Sequence, residues 1–199
     1  MAGQTVEPVR SATEDEPATN QVGHRLRPTL IFCAIAGLML TTDLLTKSLA
    51  WQRVPDEGTE IIPLLLRLQK VTNTGAVFGV AQGAQWLFTT ISVIAIAVIV
   101  HVFWRSPRGA WPLHGCLALI LAGAVGNLYD RIAFSYVRDF LYLFPGLKLP
   151  FGLTWLNGDD RLYPWIFNVA DVCLVVGVSV LLLMVWAKER RGKRQPPGA

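Results

Sequence analysis

Leu113-His-Gly-Cys-Leu-Ala-Leu-Ile-Leu-Ala-Gly-Ala-Val-Gly-Asn-Leu-Tyr-Asp-Arg131 is apolar for most of its length and turns polar only at its end. The apolar run around it, residues 112 to 133, is close to the ~20 residues that cross ~30 Å of hydrocarbon as a helix. Asn127, Asp130 and Arg131 fall at i, i+3 and i+4 and therefore share one helix face. Gly123 and Gly126 permit another helix to approach closely. The stretch reads as a membrane span whose polar stripe points into a bundle.

Three further apolar runs lie at about 29 to 51, 84 to 104 and 164 to 187. The expected fold is an all-α membrane protein with four transmembrane helices. Composition agrees: 52% of the 199 residues are hydrophobic and the mean hydropathy is +0.41, too apolar for an ordinary soluble domain. The net charge of +4 does not form a nucleic-acid footprint, because the basic residues gather beside the apolar runs, where lipid headgroups and topology use them. Residues 1–24 carry Pro8, Pro17 and Glu14-Asp15-Glu16 and read as a disordered cytoplasmic tail. Residues 25–190 read as the membrane domain and 191–199 as a basic cytoplasmic tail. The first run is too long and too late for a cleaved signal sequence.

Short-loop lysines and arginines set the expected orientation. Arg25 and Arg27 precede the first run, Arg105 and Arg108 join the second to the third, and Lys188, Arg190, Arg191, Lys193 and Arg194 follow the fourth. Both termini are thus expected in the cytoplasm. The connections at about 52–83 and 134–163, which mix basic residues with Asp56, Glu57, Glu60, Asp159 and Asp160, are expected outside. Glu60-Ile-Ile-Pro-Leu-Leu-Leu-Arg-Leu-Gln-Lys-Val71 has weak strand character between turn breakers and suggests a small extracytoplasmic β-like element. The second outer connection reads as an extended loop.

A charge at membrane depth costs ~2.5–3.5 kcal/mol on insertion scales, so ionisable residues inside the runs carry the most information. Asp43 and Lys47 are four apart on one face; they read either as a self-neutralising pair that snorkels to the interface or as part of a site. Asp130 reads first as interhelical glue, whereas Arg131 is open to holding backbone carbonyls of a loop or a substrate. Asn168 and Asp171 open the fourth run three residues apart, and Val137-Arg-Asp-Phe140 brings Asp139 to the same outer boundary. Asn73-Thr-Gly-Ala-Val-Phe-Gly79 suits a loop dipping into the outer leaflet.

Two carboxylates held close together share a proton, so that one acts as base and the other as acid. Such a pair activates water for attack on a peptide carbonyl with no metal, serine or cysteine nucleophile. The inventory suits this chemistry. His24, His101 and His114 form no ligand spacing, and Cys33, Cys116 and Cys173 sit in apolar runs without CxxC. No GxSxG is present.

Asp43-Leu-Leu-Thr-Lys47, Asn73-Thr-Gly-Ala-Val-Phe78, Gly126-Asn-Leu-Tyr-Asp-Arg131, Val137-Arg-Asp-Phe140 and Phe167-Asn-Val-Ala-Asp171 resemble, in order, the motifs of the lipoprotein signal peptidases. The resemblance spans about residues 28 to 187 and implies an aspartic endopeptidase of the bacterial inner membrane. Asp139 and Asp171 would be catalytic, and Asp43, Lys47, Asn73, Gly75, Asn127, Asp130, Arg131 and Asn168 would bind substrate or support the pair. The implied substrate is a prolipoprotein with a diacylglyceryl cysteine, cut on the amino side of that cysteine. Globomycin is the implied inhibitor, membrane lipid is the other partner, and no cofactor, metal or nucleic acid is implied; a monomer is expected.

The chain departs from the family pattern at Val77 and Gly79, where a second alanine and a serine are usual, and in the length of the stretch between Asp139 and Asp171. That stretch is expected to act as a lid or substrate-facing element, its tryptophans and tyrosines resting at the interface. Two other readings compete. A small transporter or proton channel would also use intramembrane polar residues, but the inner halves of the second and fourth runs are almost wholly apolar. A noncatalytic lipid-binding scaffold has no need of both Asp139 and Asp171.

Overall fold

In the computed structural model, residues 18–75 and 85–194 are described. Among these residues four helices are long and apolar enough to cross a membrane: α1 (Ala18–Arg53), α2 (Gln85–Arg105), α3 (Trp111–Phe134) and α4 (Val169–Arg194). In such a segment every backbone N–H and C=O must be satisfied internally, and a helix does this with its own ladder. Between the helices lie four strands, β1 (Thr59–Ile62), β2 (Leu66–Asn73), β3 (Val137–Leu143) and β4 (Ile166–Phe167). They form one antiparallel sheet in the order β1-β2-β3-β4. Because β1 and β2 connect α1 to α2, and β3 and β4 connect α3 to α4, the sheet caps one end of the bundle.

Helix α3 is the hub and packs on α1, α2 and α4. Half of its apolar window is buried, against 11–17% for the other three, which places α3 inside and leaves the outer faces of the others for lipid. Glycines make the contact close. A Cβ on Gly123 would stand 2.5 Å from the Ala170 carbonyl oxygen and 2.7 Å from Leu174, and one on Gly126 would collide with the Asp43 carboxylate. At the far end the core is plainly apolar, built from Phe32, Ala36, Ile99, Phe103, Leu117 and Ala118. Under the sheet, a second cluster of Ala50, Val54 and Phe140, with Trp51, Leu68, Leu141 and Val169 packed on it, ties the strands to the end of α1.

Several boundaries differ from expectation. The sheet draws on both connections, not only the first, and its most buried strand is β3. The charged pair Arg138-Asp139 interrupts the hydrophobic pattern that would announce a central strand, but each of the two is buried against polar partners. Helix α4 begins at Val169 and not at 164, because Ile166 and Phe167 pair with Tyr142 and Leu141 of β3 and Asn168 caps the helix. Helix α1 reaches back to Ala18 and α4 runs on to Arg194, into stretches read as tails; a helix satisfies its own backbone beyond the point where packing stops. Residues 1–17, 76–84 and 195–199, including Val77, Phe78 and Gly79, lie outside the described residues.

Candidate active site

The capped end of the bundle holds a cluster of polar side chains that lipid would not tolerate singly. Asp43, Lys47, Asn127, Asp130, Arg138, Asp139 and Asn168 are all buried, and Lys47, Asp130 and Asn168 have no exposed surface at all. The Asp43–Lys47 pair therefore does not snorkel. It faces the bundle interior and is one part of a larger network.

Lys47 uses its ammonium on three partners: Asp43 Oδ2 at 2.8 Å, Asn127 Oδ1 at 3.0 Å and Asp130 Oδ2 at 3.3 Å. Asp130 is saturated. Its Oδ1 accepts from Arg138 Nε at 3.1 Å and Nη2 at 2.7 Å, and its Oδ2 accepts from the Arg138 backbone N–H at 3.0 Å. Asp43 Oδ1 accepts from the Ala170 N–H at 2.8 Å, in the first turn of α4. Two aspartates, a lysine and an arginine thus neutralise one another, which is the condition for burying charge.

Asp139 and Asp171 sit differently: the hydrogen bonds that hold them come from amides. Asp139 Oδ2 accepts from Asn73 Nδ2 at 3.0 Å and Oδ1 from Asn168 Nδ2 at 2.7 Å. Asp171 Oδ1 accepts from Asn127 Nδ2 at 2.8 Å and Oδ2 from the Asn168 backbone N–H at 3.2 Å. Asn168 therefore holds one carboxylate with its side chain and the other with its main chain. Its Oδ1 in turn accepts the Asp171 N–H at 3.0 Å. This reciprocal pair is a capping box, so the exchange that starts α4 also fixes Asp171.

Burial first, and the Asp171 charge second, push the Asp139 carboxyl up to about 7. The hydrogen bonds from Asn73 and Asn168 oppose that rise without cancelling it. Asn73 is itself held by an Asx turn, its Oδ1 accepting the Gly75 N–H at 3.1 Å. The Cα register places Val71 opposite Asp139 and Asn73 opposite Val137, so β2 carries the amide to the carboxylate.

Arg131 is half-buried, with its guanidinium 5.7 Å from the Phe88 ring centre and Nη1 donating to the Asn127 carbonyl at 3.3 Å. It lies within electrostatic reach of Asp171, Asp139 and Asp130. All the residues singled out from sequence meet at this end: Asp43, Lys47, Asn73, Gly75, Asn127, Asp130, Arg131, Asp139, Asn168 and Asp171. Arg138 carries as much of the network as any of them, although the sequence motifs assign it no role. The available signal is strand alternation, which sends Arg138 and Asp139 to opposite faces. Tyr163 is a second addition; burial, and then the Asp171 charge, raise its phenol above the usual range.

Comparison with known proteins follows the same outline. The family model described as signal peptidase (SPase) II matches residues 35–187. A lipoprotein signal peptidase of Symbiobacterium thermophilum is 36% identical over 165 residues, covering 82% of this chain and 99% of that protein. One from Desulfitobacterium hafniense is 33% identical over 141 residues, covering 71% and 82%, and one from Halothermothrix orenii is 32% identical over 156 residues, covering 78% and 94%. Among solved structures, a bacterial membrane enzyme superposes with a TM-score of 0.69 at 23% identity, covering 85% of this chain and 94% of that one. The last likeness concerns the fold alone.

Proposed function

The chain belongs to the signal peptidase II family, and from that membership we propose that it removes signal peptides from prolipoproteins by aspartate-catalysed hydrolysis. The observation that carries the reading is the position of Asp139 and Asp171, each held by Asn168 and hydrogen-bonded through amides. Two such carboxyls share one proton. Each Asp139 oxygen accepts a single amide hydrogen bond, leaving a lone pair for that proton.

In the proposed reaction the ionised carboxylate takes a proton from water, and the hydroxyl adds to the carbonyl carbon preceding the diacylglyceryl cysteine. The protonated carboxyl hydrogen-bonds the forming oxyanion. When the C–N bond breaks, that carboxyl gives its proton to the cysteine nitrogen, so the pair ends with one proton, as it began. Asp43, Lys47, Asn127 and Asp130 hold the pair in place through Asn168 and the start of α4. Arg131, which supplies the nearby positive charge, binds substrate carbonyl groups. The reading also places the chain in the bacterial inner membrane as a monomer, with both termini cytoplasmic and the site toward the outer face.

A proton channel or transporter suits the molecule less well, because the polar cluster gives way to the apolar core around Phe32, Phe103 and Leu117. The test is incubation of the purified protein with a diacylglyceryl-modified prolipoprotein, with and without globomycin. The expected outcome is a product shortened by the signal peptide, formed only without the inhibitor. An unchanged substrate in both samples would overturn the reading.

A further inference from the structure

Between β3 and β4 the chain makes an excursion, residues 147–162, that ends in an unusually apolar tip. Its two arms are tied by the Lys148–Arg161 bridge and by Leu149 N–H to Asp160 O and Leu162 N–H to Leu147 O, both 2.7 Å. At the tip Phe151 is 97% exposed, Leu153 58% and Leu156 fully so. An exposed apolar group of this size marks a contact surface.

Three observations say what covers it. First, part of the tip's backbone is satisfied within the excursion: Leu153 N–H bonds Pro150 O at 3.2 Å, Trp155 N–H bonds Asp159 O at 2.9 Å, and Gly158 N–H bonds Trp155 O at 2.8 Å. Trp155 Nε1 also donates to Arg161 O at 2.9 Å. Hydrogen bonding of this kind lowers the cost of placing backbone in a poorly hydrated layer. Second, the charges are internally paired, Lys148 with Asp160 and Arg161 with Asp159, so the excursion carries no net charge into that layer. Third, the helix ends from which the sheet's strands run also present apolar surface: Phe134 and Ile132 at the end of α3, and Val172 and Val175 at the start of α4, are exposed. Trp155 also stacks edge-on to Trp165 at 4.6 Å, an aromatic pair of the kind that rests at headgroup level.

We propose that the tip formed by Phe151, Leu153 and Leu156 is seated in the lipid leaflet on the sheet's side of the membrane, anchoring the excursion beside the polar cluster. The occupant is bilayer lipid, not a second protein. This inference needs only the four spans and stands apart from the peptidase reading.

The experiment uses the full chain with the exposed thiol removed by Cys33→Ala. An environment-sensitive dye is attached at Leu156→Cys or, in a second variant, Phe151→Cys, with Asp56→Cys as the water-exposed reference. Each protein is reconstituted in vesicles of phosphatidylethanolamine and phosphatidylglycerol containing a lipid spin-labelled high on its acyl chain. The expected result is emission shifted to the blue, with lipid quenching several-fold stronger and iodide quenching several-fold weaker at the tip than at position 56. Iodide quenching of both tip labels at the level of the reference would overturn the proposal. So would protection that develops only after a diacylglyceryl-modified peptide is added, which would make the tip a lid on the substrate.

Discussion

The polar cluster has two sides, and they solve the burial of carboxylates in opposite ways. On the α1–α3 side, Asp43 and Asp130 are matched by Lys47 and Arg138 in direct ion pairs. On the β3–α4 side, Asp139 and Asp171 are surrounded by Asn73, Asn127 and Asn168, which donate hydrogen bonds but bring no charge. An ion pair fixes a carboxylate in its ionised form. Amide donors orient a carboxylate while leaving it able to take a proton, which is what an acid–base pair requires.

The comparison breaks most visibly through isosteric amides. Asp139→Asn and Asp171→Asn should each lower cleavage by about 10²–10⁴-fold or more while the protein stays inserted and folded, because an amide can neither accept water's proton nor carry the shared one. Parental rates in a well-folded Asp139→Asn protein would show that this side is structural too. The same change on the other side should act on folding. Asp130→Asn leaves Lys47 and Arg138 buried with too little counter-charge, a loss of about 3–5 kcal/mol when one partner of a buried pair is removed. Unfolding of the purified variant in detergent measures it. If Asp130→Asn instead stops catalysis with stability and substrate binding intact, the catalytic assignment moves to Asp130.

How much of this contrast is legible in the amino-acid sequence depends on the element. The spans are readable because a bilayer demands long apolar runs, and Asn127, Asp130 and Arg131 because helical spacing places them on one face. The depth of Lys47 is not readable, since a pair near a helix end suits snorkelling and burial equally; its burial comes with the close approach of α3 at Gly126 and of α4 at Ala170 to its partner Asp43. Strand β3 escapes a sequence reading because Arg138 and Asp139 look like loop residues. Their partners come from α3, β2 and α4, and pairing so distant in sequence leaves no local pattern. The start of α4 is displaced for a related reason: the spacing of Asn168 and Asp171 suggests a shared helix face, whereas their first task is to cap the helix.

A smaller effect concerns pH. The folded protein holds the Asp139 carboxyl up at about 7, against an ordinary value of 3.8. The folded state therefore keeps a proton that the unfolded chain releases over this interval. Its contribution to stability is complete below the ordinary value and is lost as pH rises through about 7, with a limiting slope of about 1.4 kcal/mol per pH unit. Cleavage should decline over the upper part of the same range as the acid is lost. Unfolding measured against pH should show this slope in the parent and not in Asp139→Asn; a slope of equal size in both would assign the titration to another group.

The finest distinction lies within Asn168, which belongs to both α4 and the carboxylate pair. Asn168→Ala removes the acceptor for the Asp171 N–H and the donor to Asp139. Loss of a cap of this kind costs about 1 kcal/mol. Asn168→Ser keeps an oxygen that caps a helix N-terminus but lacks the amide that reaches Asp139, so it should recover most of that stability. It should not recover the parental pH profile. The Asn168 hydrogen bond holds the Asp139 carboxyl down, and without it the carboxyl keeps its proton to higher pH. The alkaline decline of cleavage should therefore move upward in both variants, while only alanine loses the stability of the cap. If serine restores the parental profile together with stability, Asn168 acts on the pair solely by starting the helix, and its side-chain amide does not set the proton affinity of Asp139.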